Sequence, residues 1–244
     1  TRLAYRWVAG GVTAAQGFRA SGVSAGIKRG RKLDLALVVA DEPAVAAGLF
    51  TTNRVQAAPV TISRMRLRKG KAQAVLLNSG CANCLTGPAG HRDAMRLAHE
   101  TAKTLGVSEQ GVLLASTGLI GSRLPVLKMQ RAIPALIRRL SRAGHRQAAQ
   151  AILTTDTRIK EVAVADRFAG GLIYLGGMAK GSGMVAPHMA TMLCVLTTDV
   201  AIEQRLLSQL LRRAVDASFH RMTIDDDMST NDMVTLMANG LANN

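Results

Sequence analysis

Three stretches of this chain hold residue types whose spacing could do chemistry. Cys81-Ala-Asn-Cys84 has the spacing of a redox dithiol or of half a zinc site. A structural zinc needs four ligands, however, and the sequence has no second CxxC and no histidine pair at finger-like spacing, only His91 nearby. The pair therefore reads as buried or loop thiols without chemistry of their own, and no metal is expected. Gly181-Ser-Gly183-Met-Val-Ala186 satisfies a loose GxGxxA dinucleotide fingerprint. That fingerprint works only between a strand and an amphipathic helix whose N-terminus faces the pyrophosphate. Here Pro187 leads instead into Met192–Thr197, an unbroken apolar run without helical period. Lys180 precedes its glycine rather than closing a GK[ST] sequence, so a phosphate-binding P-loop fails as well. The third stretch is the densest: Gly176 to Met184 carries five glycines or serines around Lys180, and Ala190 then precedes Thr191 where an apolar strand begins. Glycines let the backbone approach itself or a ligand closely. On residue chemistry alone, an ordinary glycine-rich turn into a strand fits this stretch equally well.

The elements that must position these residues can be read from periodicity. Short apolar or β-branched runs recur at Leu35–Ala40, Val45–Phe50, Ala74–Leu77, Val112–Ala115, Glu161–Ala165, Leu172–Leu175, Met192–Thr197 and Met233–Met237, with lengths and flanks that suit buried strands. Helical patterns lie between them. Ala94, Leu97, Ala98, Thr101, Ala102 and Leu105 repeat at helical spacing, with Gly106 as the stop. Pro125 can open a second helix whose apolar face is Ile133, Leu136, Ile137 and Leu140, and Pro134 is expected to kink or divide it. A third helix is expected from about Glu203 to Phe219, burying Leu206, Leu207, Leu210, Leu211 and Ala214. Strands and helices mix freely along the chain, so the class is α/β or α+β, with sheet covered by helices.

Composition narrows the function classes. With 244 residues, 48% of them hydrophobic, the chain can bury a substantial core, which excludes overall disorder. No export signal is visible in the sequence, and the longest nearly uncharged stretch, Met184–Thr198, is broken by Pro187 and His188, so no membrane association is expected. Three cysteines are too few for a disulfide framework and point to a reducing compartment, cytoplasmic or organellar. The formal charge of +15 raises the question of nucleic acid, but aromatic residues make up only 3% of the chain, too few to stack bases. The basic runs Lys28–Lys32 and Arg64–Lys71 are expected to be solvated loops, and nucleic acid is not an expected partner. Carboxylate- or phosphate-bearing metabolites remain compatible with the charge.

Several blocks in sequence order resemble the ornithine acetyltransferase family. They are Gly11–Phe18, Ala25–Lys28, Phe50–Arg54 with Ala57–Val60, Asn78-Ser-Gly80 with Ala82-Asn83, Ala115-Ser-Thr-Gly118, Thr154-Thr-Asp-Thr157, the Lys180 block and Ser229-Thr-Asn-Asp232. The resemblance implies a layered α-β-β-α sandwich and a precursor that cuts itself between Ala190 and Thr191. An α chain, residues 1–190, would precede a β chain starting at Thr191, of which residues 191–244 are the beginning; two of each would form a heterotetramer. It further implies that Thr191 carries an acetyl group from N-acetylornithine to glutamate, in arginine biosynthesis. The free α-amino group of Thr191, with a reference pKa near about 7.7–8.0, would serve as base for its own hydroxyl. Thr117 and Gly118 would hold the oxyanion, while Thr154, Lys180 and Thr191 would contact substrate. Without the resemblance, Thr117-Gly118 also fits a simple turn after a strand.

The family resemblance implies no bound cofactor; acetyl-CoA as a second acetyl donor stays open. So does a self-processing aminopeptidase or amidohydrolase of related fold, in which water takes the acyl group. Cys81, Cys84-Leu85 and Asp226 depart from the family pattern. An aspartate where glycine is usual tolerates a positive φ less well. Family members are longer than this chain, and residues beyond 244 are expected to complete the pocket.

Overall fold

A computed structural model describes residues 5–168, 171–184, 192–225 and 227–244. The strands, in chain order, are β1 (Arg6–Trp7), β2 (Phe18–Val23), β3 (Leu35–Phe50), β4 (Lys71–Cys81), β5 (Val112–Leu119), β6 (Lys160–Phe168), β7 (Gly171–Lys180), β8 (Leu193–Thr198) and β9 (Met233–Ala238). The helices are α1 (Ala58–Leu67), α2 (Gly87–Leu105), α3 (Val126–Arg138), α4 (His145–Ala151) and α5 (Gln204–Ala217). The nine strands among the described residues form one sheet, ordered β1-β6-β7-β8-β9-β3-β4-β5, with β2 paired to β3.

β3 explains how one sheet makes two layers. Its first half pairs with β2 and β4, its second half with β9, and the register with β4 shifts between Val39 and Ala44. A bulge bends and twists a strand, so the sheet passes from one layer to the other along β3. The alternation of side chains shows the result. In the first layer Ala36, Val38, Val75, Leu77, Leu113 and Ala115 enter a central core, while Leu35, Leu37, Val39, Ala74, Leu76, Val112 and Leu114 face α2 and α3. In the second layer Ala44, Ala46, Leu193, Val195, Met233 and Met237 enter the same central core, while Ala47, Cys194, Val234 and Leu236 face α5. The order helix, sheet, sheet, helix is the α-β-β-α arrangement that the family resemblance implies.

Each layer contains one parallel pair bridged by a helix, β4-α2-β5 and β8-α5-β9, as parallel strands require. Gly106 ends α2 in the left-handed conformation at φ 74°, the stop expected there.

Several expectations need correction. Leu35–Ala40 and Val45–Phe50 are one strand, because the polar residues between them form the bend rather than a turn. Pro134 lies inside a continuous α3 and does not divide it. α5 ends at Ala217 and buries Leu207, Leu211 and Val215, while Leu206, Leu210 and Ala214 are exposed, so its buried stripe is narrower than the run of leucines suggests. Arg64–Lys71 is not a loop: it spans the end of α1 and the turn into β4, and Arg66 is fully buried. Its guanidinium donates to the Val112 carbonyl and pairs with Glu109 at 3.0 Å. Lys28 is also not a solvated residue, whereas Arg29, Arg31 and Lys32 are exposed. No helix among the described residues is long and apolar enough to cross a membrane.

Candidate active site

The residues singled out in the sequence converge where the two sheet layers open. Thr117 and Gly118 lie at the carboxyl end of β5, not in a turn, next to the carboxyl end of β4. Lys180 closes β7 in the other layer. Across the opening, Lys180 Nζ donates to Thr117 Oγ1 at 3.2 Å. Thr117, Gly118, Thr154 and Lys180 line one cavity of 530 Å³, together with Lys28, Gly80, Ser229 and Asn231. Carboxyl ends of parallel strands are where open α/β sheets bind ligands. A larger cavity, 730 Å³ between α1, β3 and α5, contains none of these residues.

Local structure accounts for each placement. Gly118 has φ 129°, and a Cβ there would sit 2.4 Å from the Gly80 carbonyl carbon and 2.6 Å from the Cys81 nitrogen. Only glycine allows β5 to approach β4 this closely. Thr154 is held by Asp156, whose carboxylate accepts from the Thr154 amide at 3.3 Å and from the Gly181 amide at 2.8 Å. Asp156 thus ties the loop after α4 to the end of β7. Burial raises its pKa, but Lys160, the Gly181 and Thr154 amides and Lys180 outweigh this and keep the carboxylate ionised below the usual range. Asp34 folds the loop before β3 by accepting from the amides of Ala25, Ile27 and Lys28 at 2.6, 2.6 and 2.9 Å. Lys28 is thereby turned inward, donating to the carbonyls of Leu33 and Leu153 at 2.9 and 2.7 Å, and burial lowers its pKa.

Lys180 is 3% exposed, and burial lowers its pKa against the opposing attraction of Asp156 and Asp232. Because Thr117 accepts from Lys180, the hydroxyl proton of Thr117 stays available to donate. The cavity therefore combines a cation, a free hydroxyl donor and close-packed backbone, a set suited to a carboxylate and to an oxygen that gains charge.

The Ser229–Asp232 block contains site residues that sequence reasoning did not assign. Asn231 donates to the carbonyls of Ala82 and Ser116 at 2.7 and 2.8 Å, joining β9 to the ends of β4 and β5. Asp232 accepts from the Met192 amide at 3.0 Å, fixing the start of β8. It is 1% exposed, and its Oδ2 has no hydrogen-bond partner among the described residues. Burial pushes its pKa up to about 7, against the Met192 amide, the Ser229 hydroxyl and Lys180. A polar run immediately before an apolar strand was the available signal. Ala190, Thr191 and Asp226 lie outside the described residues. Cys81, Cys84 and Cys194 are buried free thiols, and burial pushes Cys194 up to about 12. No group of three or more His, Cys, Asp or Glu that could hold a metal occurs among the described residues.

Known proteins resemble this chain in sequence and in fold. The arginine biosynthesis bifunctional protein ArgJ of Thermosynechococcus vestitus is 50% identical over 237 residues, covering 97% of this chain and 57% of the relative. The chain thus spans about three fifths of the length of such relatives. The crystal structure of the ArgJ protein of Bacillus halodurans matches with a TM-score of 0.73 at 36% identity, over 79% of this chain and 100% of that one. The ornithine acetyltransferase of Mycobacterium tuberculosis, solved with ornithine, matches with a TM-score of 0.70 at 40% identity, over 78% of this chain and 100% of that one. The sequence model of the ArgJ family matches residues 19–244, which include every described residue of the cavity, and the chain belongs to the ArgJ family.

Proposed function

We propose that this chain forms the catalytic part of a glutamate N-acetyltransferase of arginine biosynthesis, which moves acetyl from N2-acetylornithine to glutamate through acetyl-Thr191. The observation that carries this reading is the convergence of Thr117, Gly118, Thr154 and Lys180 on one cavity, beside the Met192 amide that follows Thr191 in sequence. Self-cleavage between Ala190 and Thr191 frees an α-amine that takes the proton of the Thr191 hydroxyl. A peptide nitrogen cannot do this, so cleavage comes first. The hydroxyl attacks the acetyl carbonyl, and the Thr117 hydroxyl with the Gly118 backbone meets the charge on its oxygen. Ornithine leaves; glutamate then attacks acetyl-Thr191. Lys180 and Thr154 hold the substrates, the cation of Lys180 matching the carboxylate both share.

Residues 1–190 are then the α chain and residues 191–244 the start of the β chain. In support, the solved chains of the two relatives are each matched along their whole length by 79% and 78% of the 244 residues here, close to the share that precedes Thr191. The mature assembly is a heterotetramer of two α and two β chains acting in the cytoplasm, without a bound cofactor and with acetyl-CoA as an optional donor. The full-length gene product, given N-acetylornithine and glutamate, should yield N-acetylglutamate and ornithine in equal amounts. Release of free acetate at the same rate with and without glutamate would instead establish a hydrolase.

A further inference from the structure

Thr154 reaches the cavity from residues 152–159, a loop that belongs to no helix or strand and must be held by side chains. On one side it is tied to the layer of Lys180. Asp156 accepts from the Thr154 amide at 3.3 Å and from the Gly181 amide at 2.8 Å, and the Thr155 and Ser182 hydroxyls lie 2.6 Å apart. On the other side it is tied to the layer of Gly118, through Lys28. Lys28 Nζ donates to the Leu153 carbonyl at 2.7 Å, and that carbonyl carbon is bonded to the Thr154 nitrogen. The same ammonium donates to the Leu33 carbonyl at 2.9 Å, just before β3. Fully buried Asp34 holds the Lys28 backbone by accepting its amide at 2.9 Å. The Lys28 stem lies on the end of β4, where a Cβ added to Gly80 would sit 3.1 Å from Lys28 Cγ. Gly80 is the cross-strand partner of Gly118. Lys28 therefore touches the Gly80–Gly118 wall with its stem and the Thr154 loop with its charge.

We propose that Lys28 is a positioning residue of the acetyl-transfer site, which sets the spacing between Thr154 and the Gly80–Gly118 wall. The inference rests on the reaction proposed above, in which Thr154 contacts substrate. Lys28 spends its ammonium on backbone carbonyls rather than on a carboxylate, which suits holding a loop. Hydrogen bonds from an ionised donor are about twice as strong as neutral ones, so the charge adds stiffness where the backbone has no ladder. Lys180 remains the cation for the substrate carboxylate. The division follows from the layers: Asp156 fixes Thr154 relative to Lys180, and Lys28 fixes it relative to the end of β4 and its neighbour Gly118. Displacing a substrate-positioning group by about 1 Å can cost about 10²-fold in rate, so the spacing matters although Lys28 itself need not touch substrate.

The test is a double-mutant cycle in the full-length gene product: wild type, Lys28→Met, Thr154→Ala and the two together, read by steady-state acetyl transfer from N-acetylornithine to glutamate. Methionine keeps a stem over Gly80 and removes the ammonium. Lys28→Met should raise KM for both substrates by about 10- to 100-fold and change kcat far less. In the Thr154→Ala background, where KM is already raised, the same substitution should change KM by less than about twofold. Loss of stability alone would lower the active fraction, and with it the apparent kcat, equally in both backgrounds while leaving KM where it was. Should Lys28→Met not fold, the cycle is run with Lys28→Arg, whose longer planar fork displaces the Leu153 carbonyl. A rise in KM that disappears in the Thr154→Ala background supports the role. A rise of equal size in both backgrounds, or a wild-type KM in the folded Lys28 variant or in Thr154→Ala, overturns it while acetyl transfer by the wild type stands. A wild type that transfers no acetyl removes both.

Discussion

In the proposed reaction Thr117 and Lys180 divide the work of the cavity between charge that is present from the start and charge that develops. The Thr117 oxygen accepts from Lys180 at 3.2 Å, so its proton is free for the acetyl oxygen as that oxygen becomes negative. Thr117→Ala should therefore lower kcat by about 10²- to 10³-fold with little change in KM for N-acetylornithine. Lys180→Met should instead raise KM for N-acetylornithine and for glutamate together, since it removes the cation both carboxylates need. Steady-state acetyl-transfer kinetics distinguish the two. Gly118 is a backbone device: at φ 129° and 2.4 Å from the Gly80 carbonyl carbon, an added methyl forces β4 and β5 apart. Gly118→Ala should cost about 1–3 kcal/mol of stability in urea unfolding. Thr117, Gly118, Thr154 and Lys180 were singled out only through the family resemblance, because on residue chemistry alone a strand-end turn or a surface lysine fits as well; the structure brings all four to one cavity. The burial of Asp232 was not foreseen, because an acidic residue before a strand looks solvated until the layers close over it.

The secondary-structure elements were legible where one face alone decides burial, as in α2 with its apolar stripe and its Gly106 stop. They were not legible where context overrides pattern. α5 carries four leucines, but a helix on the outer face of a sheet buries only one stripe, here Leu207, Leu211 and Val215. α1 was hidden because the basic residues at its end have opposite fates: Arg68 is exposed while Arg66, two positions earlier, is fully buried beneath the start of β5 and the middle of α2. That burial makes Glu109 the counterion of a cation with no exposure. Glu109→Ala should destabilise the fold by about 3 kcal/mol, the low end for a broken buried pair because Glu109 itself is partly exposed. Urea midpoints at matched slope would show it.

Across the whole molecule, two layers of one sheet close over a buried carboxylate, Asp232, whose burial ties stability to pH. The Asp232 pKa is raised in the folded state to about 7, against an ordinary value of 3.8. The folded chain then binds a proton that the unfolded chain has released, so stability falls as pH rises between those values and is flat above them. In a Thr191→Ala background, which keeps the chain uncut, adding Asp232→Asn should leave stability little changed near pH 4 and raise it at pH 8. The gain follows the direction of the shift, since burial of the charged carboxylate is the cost that asparagine avoids. Urea unfolding across pH would measure it. The class, α/β or α+β, was legible from the mixed strand and helix runs and the sandwich layering through the family resemblance, but the passage of one sheet between layers was not legible, because it depends on a single bulge in β3. In the proposed mechanism one backbone bond must break before acetyl can move. Intact mass of the full-length gene product reads that cleavage: wild type should give two polypeptides divided at Ala190–Thr191, and Thr191→Ala a single one. One uncut chain in both samples, with acetyl transfer still present, would contradict the account.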